Sequence, residues 1–214
     1  NMIGGSSYDD DNGHGTHCAG IIAAENNDFG TVGVAYAADL YAVKVLDSTG
    51  SGYYSQIISG IDWAISNDMD IISMSLGGST GSTTLQSAIA RAYNAGIVIV
   101  AAAGNNGTSS ISYPARYTQA VAIGAVNSSN LRASWSNYGS QLDLVAPGVS
   151  IYSTYYGNSY ATLSGTSMAT PYAAGVFALA KEASPALTNA QLETQLKTYA
   201  MDLGTSGFDI YYGY

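Results

Sequence analysis

The sequence predicts an α/β fold, a mostly parallel twisted sheet with helices on both faces, and three observations carry that prediction. The runs 70–76, 97–103, 120–126 and 142–145 are apolar with little polar alternation, as strands buried on both faces are. Helical periodicity appears between strands, for example at Ile57, Ile58, Ile61, Ala64 and Ile65. The runs end in glycine-rich turns, Leu76-Gly77-Gly78 and Gly104-Asn105-Asn106, and sheets of this class bind ligands at the carboxyl ends of their strands.

Taken in order, the polar stretch 1–13 leads into a small, apolar helix at 14–24, with Asn12 or Asp11 as its N-cap. A polar loop at 25–30 follows, and then a short Val- and Leu-rich run, 39–46, that reads as a buried strand. Helices are expected at 53–67 and around Leu85, Ala88, Ile89 and Ala92, the latter stopping at Asn94-Ala95-Gly96. Residues 151–163 alternate as a hairpin does, with Gly157-Asn158 at the middle. Two helices close the chain, 166–182 and 188–200, the second opening on a capping-box pair, Thr188 and Gln191.

A chain of 214 residues that is 47% hydrophobic suffices for one domain burying roughly 70% of its unfolded surface. Six Lys and Arg against fifteen Asp and Glu give a net charge of −9, which disfavours nucleic acid and suits a cation. No apolar run reaches the ~20 residues of a membrane span, so no membrane partner is expected. The single Cys18 cannot form an internal disulfide. The acidic, lysine-poor composition fits a secreted monomer whose targeting segment is not in this sequence.

The chemistry centres on Gly165-Thr166-Ser167-Met168-Ala169-Thr170-Pro171, a small-residue loop running into an apolar helix. There Ser167 would sit where unpaired N–H groups and the helix dipole favour developing negative charge. An ordinary helix cap is the plainer use of such a serine. Activating its hydroxyl requires a neutral imidazole, and the only histidines are His14 and His17. Asn105, at the end of a buried run, offers an amide N–H to an oxyanion.

His14-Gly15-Thr16-His17, Ala103-Gly104-Asn105 and Gly165-Thr166-Ser167-Met168-Ala169-Thr170-Pro171, in that order, resemble the subtilisin-like serine proteases, the subtilases. Tyr41-Ala42-Val43-Lys44-Val45-Leu46, Ser75-Leu76-Gly77-Gly78 and Val145-Ala146-Pro147-Gly148 extend the likeness over almost the whole chain. The resemblance implies a three-layer fold and peptide hydrolysis, with His14 as general base, Ser167 as nucleophile and Asn105 as oxyanion donor. His17 is then a buried structural histidine. Gly50-Ser51-Gly52 and Ser75-Leu76-Gly77 would pair with the substrate backbone, Gly104, Asn106 and Ser112 would line the P1 pocket, and Tyr54 would bound the next one. Ser112 replaces a frequent glycine, which implies a shallower pocket with an apolar or aromatic preference.

The resemblance also implies Ca²⁺, held by the Asn27 side chain and the carbonyls of Glu25, Phe29 and Thr31. A weaker cation site would use the carbonyls of Ala115, Tyr117 and Ala120 beside Asp143, and Tyr113-Pro114 matches a cis bond of the family.

Two features depart from the pattern. No strand bearing the triad aspartate precedes His14, so that acid, and some calcium ligands, are expected on a segment upstream of Asn1; the closing Gly-x-Gly segment also stops short at Tyr214. Asp47 follows the histidine and belongs to the substrate-edge motif, and Asp9, Asp10 and Asp11 read as turn carboxylates or caps. Tyr172 stands where the family has histidine, a matter of packing.

Three other readings compete with this one. An α/β-hydrolase places its histidine after the serine, and none follows Ser167. A zinc site of His14, His17 and Cys18 is a poor ligand set. A catalytically impaired peptide-binding module on the same fold is the remaining alternative. A prodomain partner fits the protease reading.

Overall fold

The computed structural model describes residues 1–4 and 7–214; residues 5–6 of the polar opening stretch lie outside the described residues. In chain order the elements are α1 (His14–Ala23), α2 (Tyr54–Ser66), β1 (Ile71–Met74), α3 (Thr83–Asn94), β2 (Val98–Ala102), β3 (Val121–Val126), β4 (Leu144–Pro147), β5 (Ile151–Tyr155), β6 (Ser159–Leu163), α4 (Thr166–Ala183) and α5 (Asn189–Tyr199). Strands β1, β2, β3 and β4 form one parallel sheet in that order, with Ile72 opposite Ile99, Ala101 opposite Ala122 and Gly124 opposite Val145.

Successive strand residues point to opposite faces, and both faces are covered. Ile99, Ala101 and Ala122 join Ile57 and Ile61 of α2 and Leu85 and Ile89 of α3 in one core. Val100, Val121 and Ile123 join Ala173 and Phe177 of α4 and Leu192 of α5 in the other. Each fully buried Leu, Ile or Phe contributes about 1.5–3 kcal/mol, which is why the expected two-sided sheet forms.

The hairpin β5–β6 is antiparallel, and Gly157 and Asn158 at its turn both have positive φ, which these residues tolerate best. Thr188 and Gln191 form the expected reciprocal cap of α5. The Tyr113–Pro114 bond is cis.

Two expectations fail. Residues 39–46 are not a strand: Lys44 O accepts one bond, from Met2 N at 2.8 Å, and Leu40 and Tyr41 are exposed. Val43 and Val45 pack against Gly60 of α2, so the run is extended and apolar but has no ladder partner. The N-cap of α1 is neither Asn12 nor Asp11 but Gly13, with φ 97°. The chain turns so sharply there that the carboxylate reaching the helix start is that of Asp10. It accepts from the N–H groups of Asn12 (2.9 Å), Gly13 (2.8 Å) and Thr16 (2.7 Å) and from Thr16 Oγ1 (2.6 Å). Asp11 instead pairs with Lys44.

Candidate active site

Three polar ends meet at the carboxyl rim of the sheet. After β2 the chain turns through Gly104 (φ 106°) and presents Asn105. The Asn105 Oδ1 accepts from both the N–H and the Oγ1 of Thr166, each at 2.9 Å, and Thr166 Oγ1 in turn accepts from Gly104 N at 3.2 Å. This pins the oxygen side of the amide and leaves Nδ2 as the free donor. Ser167, second residue of α4, has no partner for its backbone N–H among the described residues, because the first turn of a helix has no intrahelical acceptors.

The end of β1 and helix α1 converge on the same residue. Ser167 O accepts from Ser75 Oγ at 2.7 Å and from Cys18 Sγ at 3.3 Å, while Ser167 Oγ donates to Ser75 O at 3.5 Å. Cys18 lies four residues after His14, so both occupy one face of α1 a single turn apart. Helix α1 packs directly against α4. His14 is half-buried and, among the described residues, its ring makes no hydrogen bond, to Ser167 or otherwise.

The two histidines differ. His17 is wholly buried, and its Nε2 lies 3.1 Å from both Ile151 O and Ala161 O, tying α1 to the hairpin. Burial lowers its pKa despite those carbonyls. Burial also lowers the pKa of His14; the neighbouring His17 adds to this, and the negative charge of Asp10 opposes it. A neutral imidazole is therefore favoured at position 14. Burial pushes the Cys18 thiol up to about 11, only partly offset by Ser75, so it stays protonated.

A cavity of about 230 Å³ opens beside Ser167, lined by Leu76, Gly77, Gly104, Asn105, Asn106 and Ser112 from the expected set. Thr166 and Ala102 also line it and were not anticipated; Thr166 stood beside the serine in its motif, as the first residue of a helix. Tyr54 lies outside this cavity, its hydroxyl bonded to Thr80 O, and burial raises its pKa.

Gly50, Ser51 and Gly52 form an exposed loop rather than a strand. Asp47 shapes it: Ser51 N donates to Asp47 Oδ1 at 3.1 Å, and Ser51 O accepts from Asp47 N at 2.8 Å. Both main-chain groups of Ser51 thus turn inward, while the Gly52 N–H and the carbonyls of Gly50 and Gly52 carry no hydrogen bond among the described residues. That is the alternation an added strand would use.

The residues expected to hold cations separate into two cases. Residues 25–30 are exposed, with positive φ at Asp28 and Gly30, and the carbonyls of Glu25, Phe29 and Thr31 accept no hydrogen bond among the described residues. Hard oxygens free of other partners fit Ca²⁺. At the second place Tyr117 O already accepts from Ala120 N, and the Asp143 carboxylate is engaged by Lys197 Nζ (2.7 Å) and Ala122 N (2.8 Å). The carbonyls of Ala115, Tyr117 and Ala120 thus have no free carboxylate beside them, and the second site does not fit. Among the described residues, no group of three His, Cys, Asp or Glu is placed to hold a metal, and no helix is long and apolar enough to cross a membrane.

Known proteins resemble this chain along its whole length. Subtilisin NAT of Bacillus subtilis subsp. natto is 56% identical over all of this chain and 58% of its own length. Subtilisin of Bacillus pumilus is 55% identical, over all of this chain and 81% of its own. A thermostable alkaline protease of Halalkalibacterium halodurans is 55% identical, over 93% of this chain and 55% of its own. The chain thus spans less than two thirds of the length of several relatives. The sequence profile described as Peptidase_S8, Subtilase family, matches residues 3–214, and the chain belongs to that family.

Proposed function

We propose that the protein is a serine endopeptidase that cleaves peptide bonds through an acyl-enzyme. The observation that carries this is the orientation of Asn105: with its Oδ1 held by Thr166, its Nδ2 and the Ser167 N–H are left to converge on one oxygen at the cavity. Ser167 Oγ attacks the carbonyl carbon as its proton passes to the neutral His14 imidazole. The two donors hold the resulting oxyanion, and the imidazolium protonates the leaving amine. Water then hydrolyses the acyl group by the same steps in reverse.

The substrate lies as an added strand between Gly50–Gly52 and Ser75–Gly77, its P1 side chain in the cavity walled by Gly104, Asn106 and Ser112. Ser112 lines this cavity, and its hydroxymethyl group takes up space that a glycine would leave open, so the proposed pocket is shallow and takes apolar or aromatic side chains. A peptide panel in which charged P1 groups react fastest would overturn that preference.

The triad acid belongs to a segment outside residues 1–214. The edge position of β1, the extended run 39–46 that has no ladder partner among the described residues, and the α2 helix packed on both support this reading, since one more parallel strand could lie between them. Losing the acid alone costs about 3 × 10⁴ in kcat in subtilisin, so a polypeptide carrying the upstream residues should exceed this chain by a similar factor. The loop 25–31 holds Ca²⁺ through the Asn27 side chain and the carbonyls of Glu25, Phe29 and Thr31, an ion that would brace the loop. Secretion, maturation with a prodomain and a monomeric state complete the proposal.

Labelling with a sulfonyl fluoride tests it. Stoichiometric modification of Ser167, blocked by His14→Ala, is expected. No reaction in the complete polypeptide would leave a peptide-binding module instead.

A further inference from the structure

The turn that carries Asn105 has no regular secondary structure, yet its backbone is held almost residue by residue by one side chain from elsewhere. Asn137 is 1% exposed. Its Oδ1 accepts from Asn106 N at 3.0 Å and Thr108 N at 3.2 Å, and its Nδ2 donates to Ala103 O at 3.1 Å. Its own N–H donates to Gly104 O at 2.9 Å. The partners flank Asn105 on both sides, while the Asn105 side chain itself is held by Thr166. Two donors at one end of the amide and an acceptor at the other fix which way round Asn137 lies. The close approach also requires Gly104, where a Cβ would collide with Asn137 Nδ2.

We propose that Asn137 is a positioning residue for the reaction, setting where Asn105 Nδ2 stands. The inference rests on the oxyanion role proposed for Asn105 and extends it to a residue that touches no substrate. A shift of about 1 Å in a reacting geometry costs on the order of 10² in rate, so a turn with no ladder of its own needs such a brace. Aspartate cannot replace it, because a carboxylate oxygen would face Ala103 O with no proton between them.

The test is a double-mutant cycle in the full-length protein, using a peptide anilide with an aromatic P1 residue. Asn137→Ala is expected to lower kcat about tenfold or more with KM changed less than about threefold, because the lost contact matters in the transition state. In an Asn105→Ala background the same change should lower kcat by less than about threefold, since the donor it positions is gone. Equal losses in both backgrounds would overturn the proposal and leave Asn137 a structural residue only. If Asn137→Ala does not fold, Asn137→Ser, which keeps a hydroxyl in the turn, is compared in the same two backgrounds. An Asn105→Ala protein that keeps full kcat would instead remove the oxyanion reading beneath the proposal, and the proposal with it.

Discussion

The rim around Ser167 and the loop at residues 25–31 are both short and rich in polar residues, yet they are built in opposite ways. At the rim, polar groups are bonded across elements: Asn105 to Thr166, Ser75 and Cys18 to Ser167, Asn137 to the turn after β2. In the loop, the side-chain bond among the described residues is local, from Asn27 Nδ2 to Glu25 Oε2 at 3.4 Å, and the carbonyls stand free. The contrast separates two kinds of site. Dipoles that stabilise a transition state must be fixed before the substrate arrives. Oxygens that hold a hard cation can be gathered by the ion itself.

The largest effect that bears on this contrast is at Ser167. Removing the nucleophile of subtilisin costs about 2 × 10⁶ in kcat, and Ser167→Ala should fall by a comparable factor in peptide-anilide hydrolysis. Retention of a tenth of the activity would move the reaction away from the rim. Next comes Asn105→Ala, expected to lose about 10²–10³ in kcat, the loss subtilisin shows on removal of its oxyanion asparagine.

At the loop, the readout is stability rather than rate. Chelation should lower the melting temperature, since an ion at 100 times its Kd stabilises by about 2.7 kcal/mol. Asn27→Ala should abolish that sensitivity. An unchanged melting temperature on chelation would leave loop 25–31 an ordinary surface loop, and the contrast would fail.

Smaller effects belong to Asp10, which is bonded as the rim is but contacts no substrate. Burial raises its pKa, but the bonds from Thr16, Gly13 and Asn12 outweigh this and bring it down to about 2. Because the folded value lies below the ordinary 3.8, its contribution is complete above pH 3.8 and disappears as the pH falls through about 2. Asp10→Asn replaces charge-assisted bonds by neutral ones and should destabilise by about 1 kcal/mol at neutral pH, with the difference from wild type closing in acid when unfolding is followed by circular dichroism. The same substitution should move the acidic limb of kcat/KM to lower pH, because the Asp10 charge favours the protonated form of His14. A shift to higher pH would contradict the placement of Asp10 beside that imidazole.

Much of this was legible in the sequence because burial leaves a composition. Residues 97–103 and 120–126 are apolar on both faces, and β2 and β3 are buried throughout. The run 39–46 has the same composition and failed as a strand, because a ladder needs a neighbour and apolar content does not say which edge is available. Asn137 left no signal either: a polar residue in a turn-rich stretch reads as surface until the fold closes a second turn around it.

By itself, the sequence determined the layers, the parallel character of the sheet and the glycine-rich turns that end its strands, since periodicity and turn chemistry are local properties of the chain. Only the tertiary structure decided that Asp10 rather than Asn12 or Asp11 anchors α1, that His17 is locked between two hairpin carbonyls while His14 is not, and that Thr166 and Asn137 hold Asn105 from two sides. The reason is physical: a hydrogen bond between residues 61 or 31 positions apart depends on where packing brings two turns together, and nothing in either turn specifies its partner.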